Sequence, residues 1–149
     1  MALGKWFRGN SAATAGPPKD YAVSKPDAAW RNELSAEQYR VLREHGTERP
    51  FTSPLNKEKR GGMFACAGCG QDVFASDAKF ESGTGWPSFH APVEEGVATS
   101  EDSSFLMRRV EVHCARCGGH LGHVFDDGPQ PTGKRYCING AALGFKAKD

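Results

Sequence analysis

The sequence predicts one mainly β domain, largely antiparallel, with helices confined to its N-terminal part. Its 149 residues are enough for a single ordinary domain. Glycine and proline contribute 18 and 9 residues, which favours short strands and many turns over a helical bundle. Hydrophobic residues make up 38% of the chain and charged residues 25%, proportions that are typical of a globular protein with a modest core.

The first 25 residues differ in composition from the rest of the chain. They mix Gly, Ala, Ser, Pro and Lys without periodicity, so we interpret them as a flexible leader and assign the domain to residues 26–149. Trp6 and Phe7 leave open that the leader docks onto the domain. Targeting is another interpretation, since the leader is poor in acidic residues, although it has no convincing Arg-rich amphipathic face.

Two helices are predicted between the leader and Gly46. Ser35 is a good N-cap for the second helix, and Gln38 follows it at the spacing of a capping box. Gly46 is the expected C-terminal stop. Trp30 and Leu34 are four residues apart and lie on one face of a shorter helix that comes first. The apolar stripe of the second helix consists of Tyr39, Val41 and Leu42.

After Pro50 the chain changes to short apolar runs that are separated by Gly, Asp, Ser and Pro. This pattern is typical of strands joined by turns. No internal repeat is longer than a Cys-x-x-Cys-Gly unit. The runs that predict strands are residues 63–65, 73–74, 105–107 and 110–113.

Charge and hydropathy exclude several classes of protein. The formal net charge is +1, so the broad positive field that grips nucleic acid or acidic lipid is absent. No apolar run approaches the roughly 20 residues that span a bilayer. The N-terminus lacks the apolar core and the cleavage site of a secretory signal. We therefore expect a cytoplasmic protein with no nucleic-acid or membrane partner.

Four of the five cysteines form two Cys-x-x-Cys-Gly units. The first unit contains Cys66 and Cys69, and the second contains Cys114 and Cys117. Two such units can place four thiolates in a tetrahedron, an arrangement that structural zinc prefers and that leaves no position for water. We therefore predict one structural Zn²⁺ per chain, which would tie distant parts of the domain together.

Other interpretations of these four cysteines remain open. Two disulfides are disfavoured because the chain lacks a secretory signal. A redox-active Cys-x-x-Cys pair usually occurs singly, at the start of a helix near a βαβ pattern, and neither unit has that setting. Four thiolates also suit iron.

Cys137 is left over, within the sequence RYCIN (135–139). If this segment is a strand, alternate side chains share a face, so Arg135, Cys137 and Asn139 point the same way. The guanidinium favours a thiolate over a thiol, and the amide can hold an oxygen atom of a ligand. A single cysteine on a strand is, however, more often a small buried hydrophobic residue.

Two histidines, His120 and His123, lie three residues apart in a glycine-rich segment. In a regular strand their side chains would face opposite ways, but the glycines permit a bulge that turns both inward. An imidazole donates hydrogen bonds and, when protonated, acts as a general acid near neutral pH. Either histidine alone is also consistent with a metal ligand or a surface residue.

The segment SGTGWPSF (82–89) surrounds Trp86 with two glycines and a proline. It is typical of a rigid loop that holds the indole in one pose. The face of an indole suits a small apolar group such as a methyl. Packing of Trp86 in the core is the alternative.

Together these motifs resemble the B-type peptide-methionine (R)-S-oxide reductases. The resemblance runs from about Leu34 to Phe145 and includes residues 37–42 and 46–51. The family implies a β fold of two antiparallel sheets, with the zinc site opposite the catalytic face. Four motifs occur in the order of that family: CAGC (66–69), SGTGWPSF (82–89), CARCGGHLGHVFDDGP (114–129) and RYCIN (135–139).

The resemblance implies an oxidoreductase that reduces methionine-R-sulfoxide in oxidised proteins or peptides, and hence a role in protein repair under oxidative stress. It makes Cys137 the nucleophile that attacks the sulfoxide sulfur and becomes a sulfenic acid. It also makes Arg135 the group that polarises the thiol. His120, His123 and Asn139 would bind and protonate the departing oxygen, Trp86 would hold the sulfur methyl, and Phe125 and Asp127 would support the pocket.

Two positions depart from the family pattern. Many members carry a recycling cysteine where this chain has Thr84. We therefore expect the Cys137 sulfenic acid to be reset by an external thiol, from thioredoxin or from glutathione with glutaredoxin. Gly140 stands where a serine is common, and the sequence offers no interpretation of that change.

A zinc module that binds protein or RNA, with Cys137 merely packed, is the competing hypothesis. The near-zero net charge and the lack of a dense basic and aromatic surface argue against it. The shared face of Arg135, Cys137 and Asn139 would also have no purpose in such a module. We therefore expect an enzyme, and we expect it to be a monomer.

Overall fold

The computed structural model describes residues 21–103 and 108–148, whose strands form two antiparallel sheets. Two short helices precede the strands in the chain, so the predicted fold class is confirmed. The helices are α1 (Asp27–Glu33) and α2 (Ala36–Glu44). The strands are β1 (Gly62–Cys66), β2 (Asp72–Ala75), β3 (Lys79–Phe80), β4 (Ser88–Phe89), β5 (Val97–Asp102), β6 (Arg109–Cys114), β7 (His120–Phe125), β8 (Arg135–Ile138) and β9 (Leu143–Ala147).

Local sequence signals explain how α2 begins and ends. The Ser35 hydroxyl accepts from the Gln38 N–H, and the Gln38 side chain accepts from the Ser35 N–H, which is the predicted capping box. The residue that ends the helix in the left-handed conformation is His45 (φ 58°), one position before the predicted Gly46. The residues of the predicted apolar stripe are all buried in the core: Tyr39, Val41 and Leu42.

The order of strands places one cysteine in the middle of the larger sheet. Among the described residues, this sheet has the order β3–β4–β8–β7–β6–β5, and the smaller sheet has the order β2–β1–β9. Strand β8 therefore lies between β4 and β7. Cys137 pairs in register with Ser88 of β4 on one side and with His123 of β7 on the other.

Aromatic rings from both sheets form the core between them. Phe89 of the larger sheet stacks on Phe74 of the smaller sheet, with ring centroids 4.4 Å apart. Phe64 of the smaller sheet meets Phe89 edge-on at 5.1 Å. All three side chains are fully buried. Because large rings dominate the energetics of burial, these contacts hold the two sheets face to face.

Three of the four predicted strand runs, residues 63–65, 73–74 and 110–113, lie in β1, β2 and β6. The fourth run, residues 105–107, lies outside the described residues, as do Trp6 and Phe7. Within residues 21–103 and 108–148, neither helix has the length and hydropathy needed to cross a membrane.

The leader remains a prediction for residues 1–20, which also lie outside the described part of the chain. Its last residues contact the domain. The Val23 N–H donates to the carbonyl of Arg116 at 2.9 Å, and the side chain of Val23 packs against the core. The Tyr21 ring lies so close to Gly118 that a Cβ atom there would come within 2.4 Å of it. The segment 21–25 therefore lies against the second cysteine unit.

Candidate functional site

The two Cys-x-x-Cys-Gly units lie close together in space, and each follows a strand of a different sheet. Cys66 ends β1, and Cys114 ends β6. The sulfur of Cys66 lies 3.7 Å from that of Cys117, and the sulfur of Cys69 lies 3.5 Å from that of Cys114. A tetrahedral zinc ion with bonds of roughly 2.3 Å would separate its sulfur ligands by about 3.8 Å. The four cysteines therefore form a candidate metal site whose spacing fits a tetrahedral ion.

The backbone of each unit is shaped to support negatively charged sulfur. N–H groups point at the sulfur atoms from Gly68 at 3.3 Å in the first unit and from Arg116 and Gly119 at 3.4 Å in the second. Gly70 and Gly118 close the units with φ angles of 83° and 76°, where any other residue would be strained. All five cysteines are free, which argues against the interpretation as two disulfides.

A cation from α2 faces the cysteine cluster. Arg43 Nη1 donates to the carbonyl of Cys117 at 3.1 Å and lies 3.9 Å from its sulfur. The guanidinium is held over the Trp30 ring, 4.4 Å from its centroid. Hydrogen bonds from Cys114 and Cys66 lower the pKa of Cys117, and Arg43 acts in the same direction. Because four thiolates around a divalent ion carry a net negative charge, a neighbouring cation stabilises such a site.

A separate cavity, of about 290 Å³, opens on the larger sheet around Cys137. The alternation of β8 directs Tyr136 and Ile138 into the core, as the sequence predicts. The cavity brings together six of the predicted site residues: Trp86, His123, Phe125, Arg135, Cys137 and Asn139. The two others that were placed in the same site, His120 and Asp127, do not line it.

Cys137 is partly buried in this cavity. Burial raises the pKa of its thiol, whereas the Arg135 guanidinium and the Thr84 hydroxyl, which line the same cavity, oppose that rise. Arg135 binds both carboxylate oxygens of Asp127, at 2.9 and 3.1 Å, and lies over the Phe125 ring at 4.6 Å. Asp127 therefore acts on the cavity through Arg135, whose guanidinium it orients.

His123 faces Cys137 across the pairing of β7 and β8. Its Nε2 lies 2.9 Å from the carboxylate of Asp102, and this nitrogen carries the proton because a carboxylate only accepts. Burial lowers the pKa of His123, and the hydrogen bond to Asp102 offsets only part of that effect. Asp102 also accepts from Arg109 at 3.1 Å, which ties another cavity residue to the same carboxylate.

His120 lies beside the cavity. Strands β6 and β7 shift register between Val112 and His113, which leaves Leu121 as the extra residue of a bulge. A bulge therefore occurs where the glycine-rich sequence permits one, but of the two histidines it brings only His123 into the cavity wall. The His120 ring is buried, with its centroid 5.4 Å from that of His123.

A buried carboxylate holds His120. Glu111 accepts from Nδ1 of His120 and from Nδ1 of His113, both at 2.9 Å, and from the Ser100 hydroxyl at 2.8 Å. Burial by itself raises the pKa of Glu111, but the hydrogen bonds from the two histidines outweigh it and hold that pKa well below its usual range. Because an ionised carboxylate only accepts, both imidazoles carry a proton on Nδ1.

Glu48 connects two sides of the cavity. Its buried carboxylate accepts from the N–H groups of Gly140 and Ala141, both at 2.8 Å. Its own N–H donates to Asn139 Oδ1 at 2.9 Å, and its carbonyl accepts from the Trp86 indole at 3.0 Å. Burial raises the pKa of Glu48, and the two backbone hydrogen bonds oppose that rise. One residue thus fixes both the Trp86 ring and the Asn139 amide.

Sequence reasoning missed several residues of this site. Thr47 and Arg109 line the cavity but belong to no pattern that indicates a function. Glu48 and Glu111 are single acidic residues, and only their buried hydrogen bonds distinguish them from surface carboxylates. The one available signal was that Thr47 and Glu48 fall inside a segment that carries the family resemblance.

Comparison with known proteins places this geometry in a family. Residues 34–147 match the SelR domain family. A peptide methionine sulfoxide reductase MsrB of Methanosarcina barkeri is 56% identical over 129 residues, which cover 86% of this chain and 91% of the relative. The MsrB of Leptospira interrogans is 56% identical over 128 residues, covering 85% and 98%, and that of Bradyrhizobium diazoefficiens is 57% identical over 130 residues, covering 87% and 94%. This chain belongs to the MsrB family.

Membership of the MsrB family confirms the resemblance that the sequence motifs carry. It also confirms the prediction of an oxidoreductase of that family. The matched segment, residues 34–147, contains the whole cysteine cluster and every residue that lines the Cys137 cavity.

The structure explains one departure from the MsrB pattern. A Cβ atom on Gly140 would lie 1.9 Å from the hydroxyl oxygen of Ser53 and 2.4 Å from its Cβ. The Ser53 hydroxyl accepts from the Leu55 N–H at 3.1 Å and so fills the space that a side chain at position 140 would need. Ser53 and Gly140 therefore form a matched pair in this chain.

We predict that Gly140→Ser lowers the free energy of unfolding by about 1–3 kcal/mol, because the added side chain overlaps Ser53. In a Ser53→Gly background the same change should have little effect, since the space is then empty. Chemical denaturation of the two single variants and the double variant measures this coupling.

Gly144→Ser is the matched control for this cycle, because nothing lies within 4 Å of a Cβ atom at Gly144. It should leave the free energy of unfolding nearly unchanged. An equal loss for Gly140→Ser in the presence and absence of Ser53 would contradict the pairing.

Proposed function

We propose that this chain reduces methionine-R-sulfoxide in proteins and peptides to methionine, with Cys137 as the nucleophile. The observation that carries the proposal is that a thiol, an imidazole, an amide and an indole converge on one cavity of about 290 Å³. A methionine sulfoxide offers a sulfur, an oxygen and a methyl group for recognition. The cavity has a chemically suited group for each of them.

The reaction moves one oxygen atom from the substrate to the protein. The Cys137 sulfur attacks the sulfoxide sulfur to form a transient S–S bond, and the sulfoxide oxygen takes up a proton. The hydroxyl then passes to the Cys137 sulfur as the S–O bond of the substrate and the transient S–S bond break. A thiol and a sulfoxide thereby become a sulfenic acid and a thioether, with no net gain or loss of protons. Arg135 favours the thiolate during the attack and so opposes the rise in thiol pKa that burial causes.

His123 is the group that we assign to protonate the departing oxygen. The N–H at Nε2 of His123 is hydrogen-bonded to Asp102. His123 therefore donates the other proton of its imidazolium form, the one on Nδ1. Because burial lowers the pKa of His123, this imidazolium is a stronger acid than a free one. We assign His120 to a supporting role, since its ring packs against His123 while Glu111 fixes its orientation.

Asn139 and Trp86 complete the recognition of the sulfoxide. One amide N–H of Asn139 donates to the Leu121 carbonyl at 3.0 Å, which leaves the other for the sulfoxide oxygen. The Trp86 ring supplies an apolar wall for the methyl group. Because Glu48 holds both residues, the oxygen donor and the methyl wall keep a fixed relation that favours one configuration at sulfur. The R form is the one that the family resemblance implies.

Turnover of separate R and S epimers of a methionine-sulfoxide peptide, with dithiothreitol as reductant, tests this proposal. We expect reduction of the R epimer only. Cys137→Ser should lower the rate by more than roughly a thousandfold, because a hydroxyl is far less nucleophilic than a thiolate. Trp86→Ala should mainly raise KM by loosening the methyl wall.

Two results would contradict the assignment. Failure of the wild-type chain to reduce either epimer would favour a zinc module that only binds its partner. A near-normal single-turnover rate in folded Cys137→Ser would show that the nucleophile lies elsewhere.

We also propose that an external thiol resets Cys137. Thr84 lines the same cavity as Cys137, but a hydroxyl cannot displace water from a sulfenic acid to make a disulfide. A thiol from thioredoxin, or from glutathione with glutaredoxin, would instead form a mixed disulfide with loss of water. A second thiol would then release Cys137 in its reduced form. Such a cycle requires a reducing compartment, for which we propose the cytoplasm.

Wild-type protein that receives substrate without reductant should release one methionine per chain and then give a dimedone adduct at Cys137. Thr84→Cys should instead form an intramolecular disulfide with Cys137, because position 84 lines the same cavity as Cys137. Thr84→Ser is the control that adds no thiol. Intact-mass and peptide mass spectrometry distinguish these products, and a wild-type disulfide between Cys137 and a cluster cysteine would contradict the cycle.

We propose that the cysteine cluster holds one structural Zn²⁺ per chain. The sulfur spacing, the backbone N–H groups and Arg43 all support a closed tetrathiolate site. When bound, the ion would cross-link the ends of β1 and β6. Four thiolate ligands leave no open coordination position, so the cavity residues carry the reaction.

Elemental analysis of freshly purified protein should find about one zinc per chain. Cys117→Ser should lower both the zinc content and the Tm, because metal binding contributes to folding. Cys137→Ser is the matched control, and it should lose activity while it keeps its zinc. Protein that is folded and active without bound metal would contradict the structural assignment.

A further inference from the structure

Two histidines and a glutamate form a second group of possible metal ligands, separate from the cysteine cluster. We refer to His45, Glu111 and His120 as the histidine–glutamate cluster. One ring nitrogen from each histidine and one carboxylate oxygen of Glu111 all lie within 4.8 Å of one another. Among the described residues, only this cluster and the four cysteines bring three or more such ligand atoms so close together.

Three elements of the fold supply the histidine–glutamate cluster. Glu111 lies in β6, His120 begins β7, and His45 follows the last residue of α2. Strands β6 and β7 pair with each other, which brings Glu111 and His120 together. The His45 ring lies beside the His120 ring, with centroids 5.0 Å apart and an angle of 35° between the ring planes. The cluster is therefore a product of the tertiary fold.

One side of the cluster is open to solvent and the other is not. His45 is exposed, whereas Glu111 and His120 are buried, with His120 only 2% exposed. An ion can therefore enter on the side of His45 and be shielded from water on the side of the other two ligands. A site that combines an accessible ligand with buried, fixed ones suits a metal ion that binds from solution.

Each member of the cluster can present a lone pair to an ion. Glu111 is ionised, and its Oε1 accepts from His113 and Ser100, whereas its Oε2 accepts only from His120. Desolvation of the His45 ring and the neighbouring His120 lower the pKa of His45, so this imidazole is neutral near pH 7. A neutral imidazole and an ionised carboxylate are the forms that bind metal ions.

The hydrogen bond between His120 and Glu111 can be replaced by an ion. His120 Nδ1 donates to Glu111 Oε2 at 2.9 Å. An ion that bridges these two atoms takes the place of the shared proton, which moves to Nε2 of the same ring. This Nε2 is buried and has no hydrogen-bond partner among the described residues, so the move breaks no hydrogen bond there. His120 stays neutral throughout.

The distances require only a small adjustment. Bonds of about 2.0–2.1 Å to a tetrahedral ion would separate nitrogen and oxygen ligands by about 3.4 Å. Because the ligand atoms lie within 4.8 Å of one another, none of them has to approach another by more than about 1.4 Å. Rotation of the exposed His45 side chain provides this movement without a change in the buried residues.

We propose that the histidine–glutamate cluster binds one divalent transition-metal ion, of the class of Zn²⁺ and Co²⁺, separately from the cysteine cluster. Imidazole nitrogen together with carboxylate oxygen is a ligand set that suits such ions. Three protein ligands leave a coordination position for water, in contrast to the closed set of four thiolates. The ion would hold His120 through Nδ1 and His45 through one ring nitrogen.

An ion in this cluster would also inhibit the reaction, a consequence that rests on the proposed function. The His120 ring packs edge-on against His123, with centroids 5.4 Å apart. A positive charge bound to His120 disfavours the imidazolium form of His123, which is the form that protonates the departing oxygen. Metal binding would therefore slow the oxygen transfer without contact between the ion and Cys137.

Titration of the full-length, zinc-loaded chain with Co²⁺ tests the binding site. Equilibrium dialysis with elemental analysis should find about one additional Co²⁺ per chain while the zinc is retained. The visible spectrum should show cobalt bands of nitrogen and oxygen ligands, without the charge-transfer band of a cobalt thiolate. This spectrum distinguishes the histidine–glutamate cluster from exchange into the cysteine cluster.

His45→Asn removes the exposed ligand and should weaken Co²⁺ binding by at least roughly tenfold. Asparagine tolerates the left-handed backbone that His45 adopts at φ 58°, so the end of α2 should be kept. His90→Asn is the matched control, because it removes a histidine outside the cluster, and it should bind Co²⁺ as the wild type does. Zinc content and Tm show that both variants are folded.

Two results would overturn the proposal. One is a wild-type chain that takes up no Co²⁺ beyond exchange with its zinc, a result that needs no variant. The other is Co²⁺ binding of equal affinity in wild type and folded His45→Asn, which would place the ion elsewhere.

A single turnover on the R epimer without reductant tests the inhibition, since dithiol reductants bind metal ions themselves. Co²⁺ should slow the release of methionine by the wild type but not by His45→Asn. Without Co²⁺ the two rates should be equal, because His45 does not line the Cys137 cavity. Bound Co²⁺ that leaves the wild-type rate unchanged would overturn the inhibition. A chain that binds Co²⁺ but reduces no sulfoxide would contradict only the proposed function.

Discussion

The buried carboxylate of Glu48 is the interaction on which the geometry of the Cys137 cavity depends. A carboxylate leaves water at a large free-energy cost unless strong hydrogen bonds replace its hydration. The N–H groups of Gly140 and Ala141 provide them, and both belong to the 3₁₀ turn that follows β8. Glu48 therefore fixes the end of the strand that carries Cys137. Its main chain holds Trp86 and Asn139, so these two residues cannot shift independently.

Cys137, the nucleophile of the proposed reaction, is neutral at rest because burial raises the pKa of its thiol, and the charged groups near it are paired with one another. Arg135 binds Asp127, and Asp102 binds both Arg109 and His123. Burial raises the pKa of the Cys137 thiol and lowers that of His123, so both groups start uncharged near neutral pH. A thiol reacts with oxidants far more slowly than a thiolate does. Transfer of oxygen from a sulfoxide to a thiol consumes no net proton, so the proposed reaction can begin and end with neutral groups.

The sequence predicts those parts of the structure that depend on local patterns. The capping box of Ser35 and Gln38, the alternation of side chains on β8 and the two cysteine units all follow from short spacings. Strands β3 and β4 have two residues each, and they exist because neighbouring strands pair with them. Glu48 meets Asn139 and Gly140 across 91 and 92 residues of chain, a distance at which no spacing rule applies. The glycines permit a bulge, but which histidine enters the cavity depends on the capture of His120 by Glu111.

In the proposed cycle, Thr84 stands in place of a recycling cysteine. This substitution changes the step of the cycle at which the segment 82–89 acts. A cysteine at position 84 would act after oxygen transfer, by condensing with the sulfenic acid. Thr84 cannot do so, but its hydroxyl lies in the same cavity as Cys137 and opposes the rise in thiol pKa that burial causes, before any oxygen is transferred. The same position thus moves from resolving the oxidised cysteine to favouring the thiolate form of the reduced one. Dependence on an external thiol and support of the thiolate would then both result from one side chain.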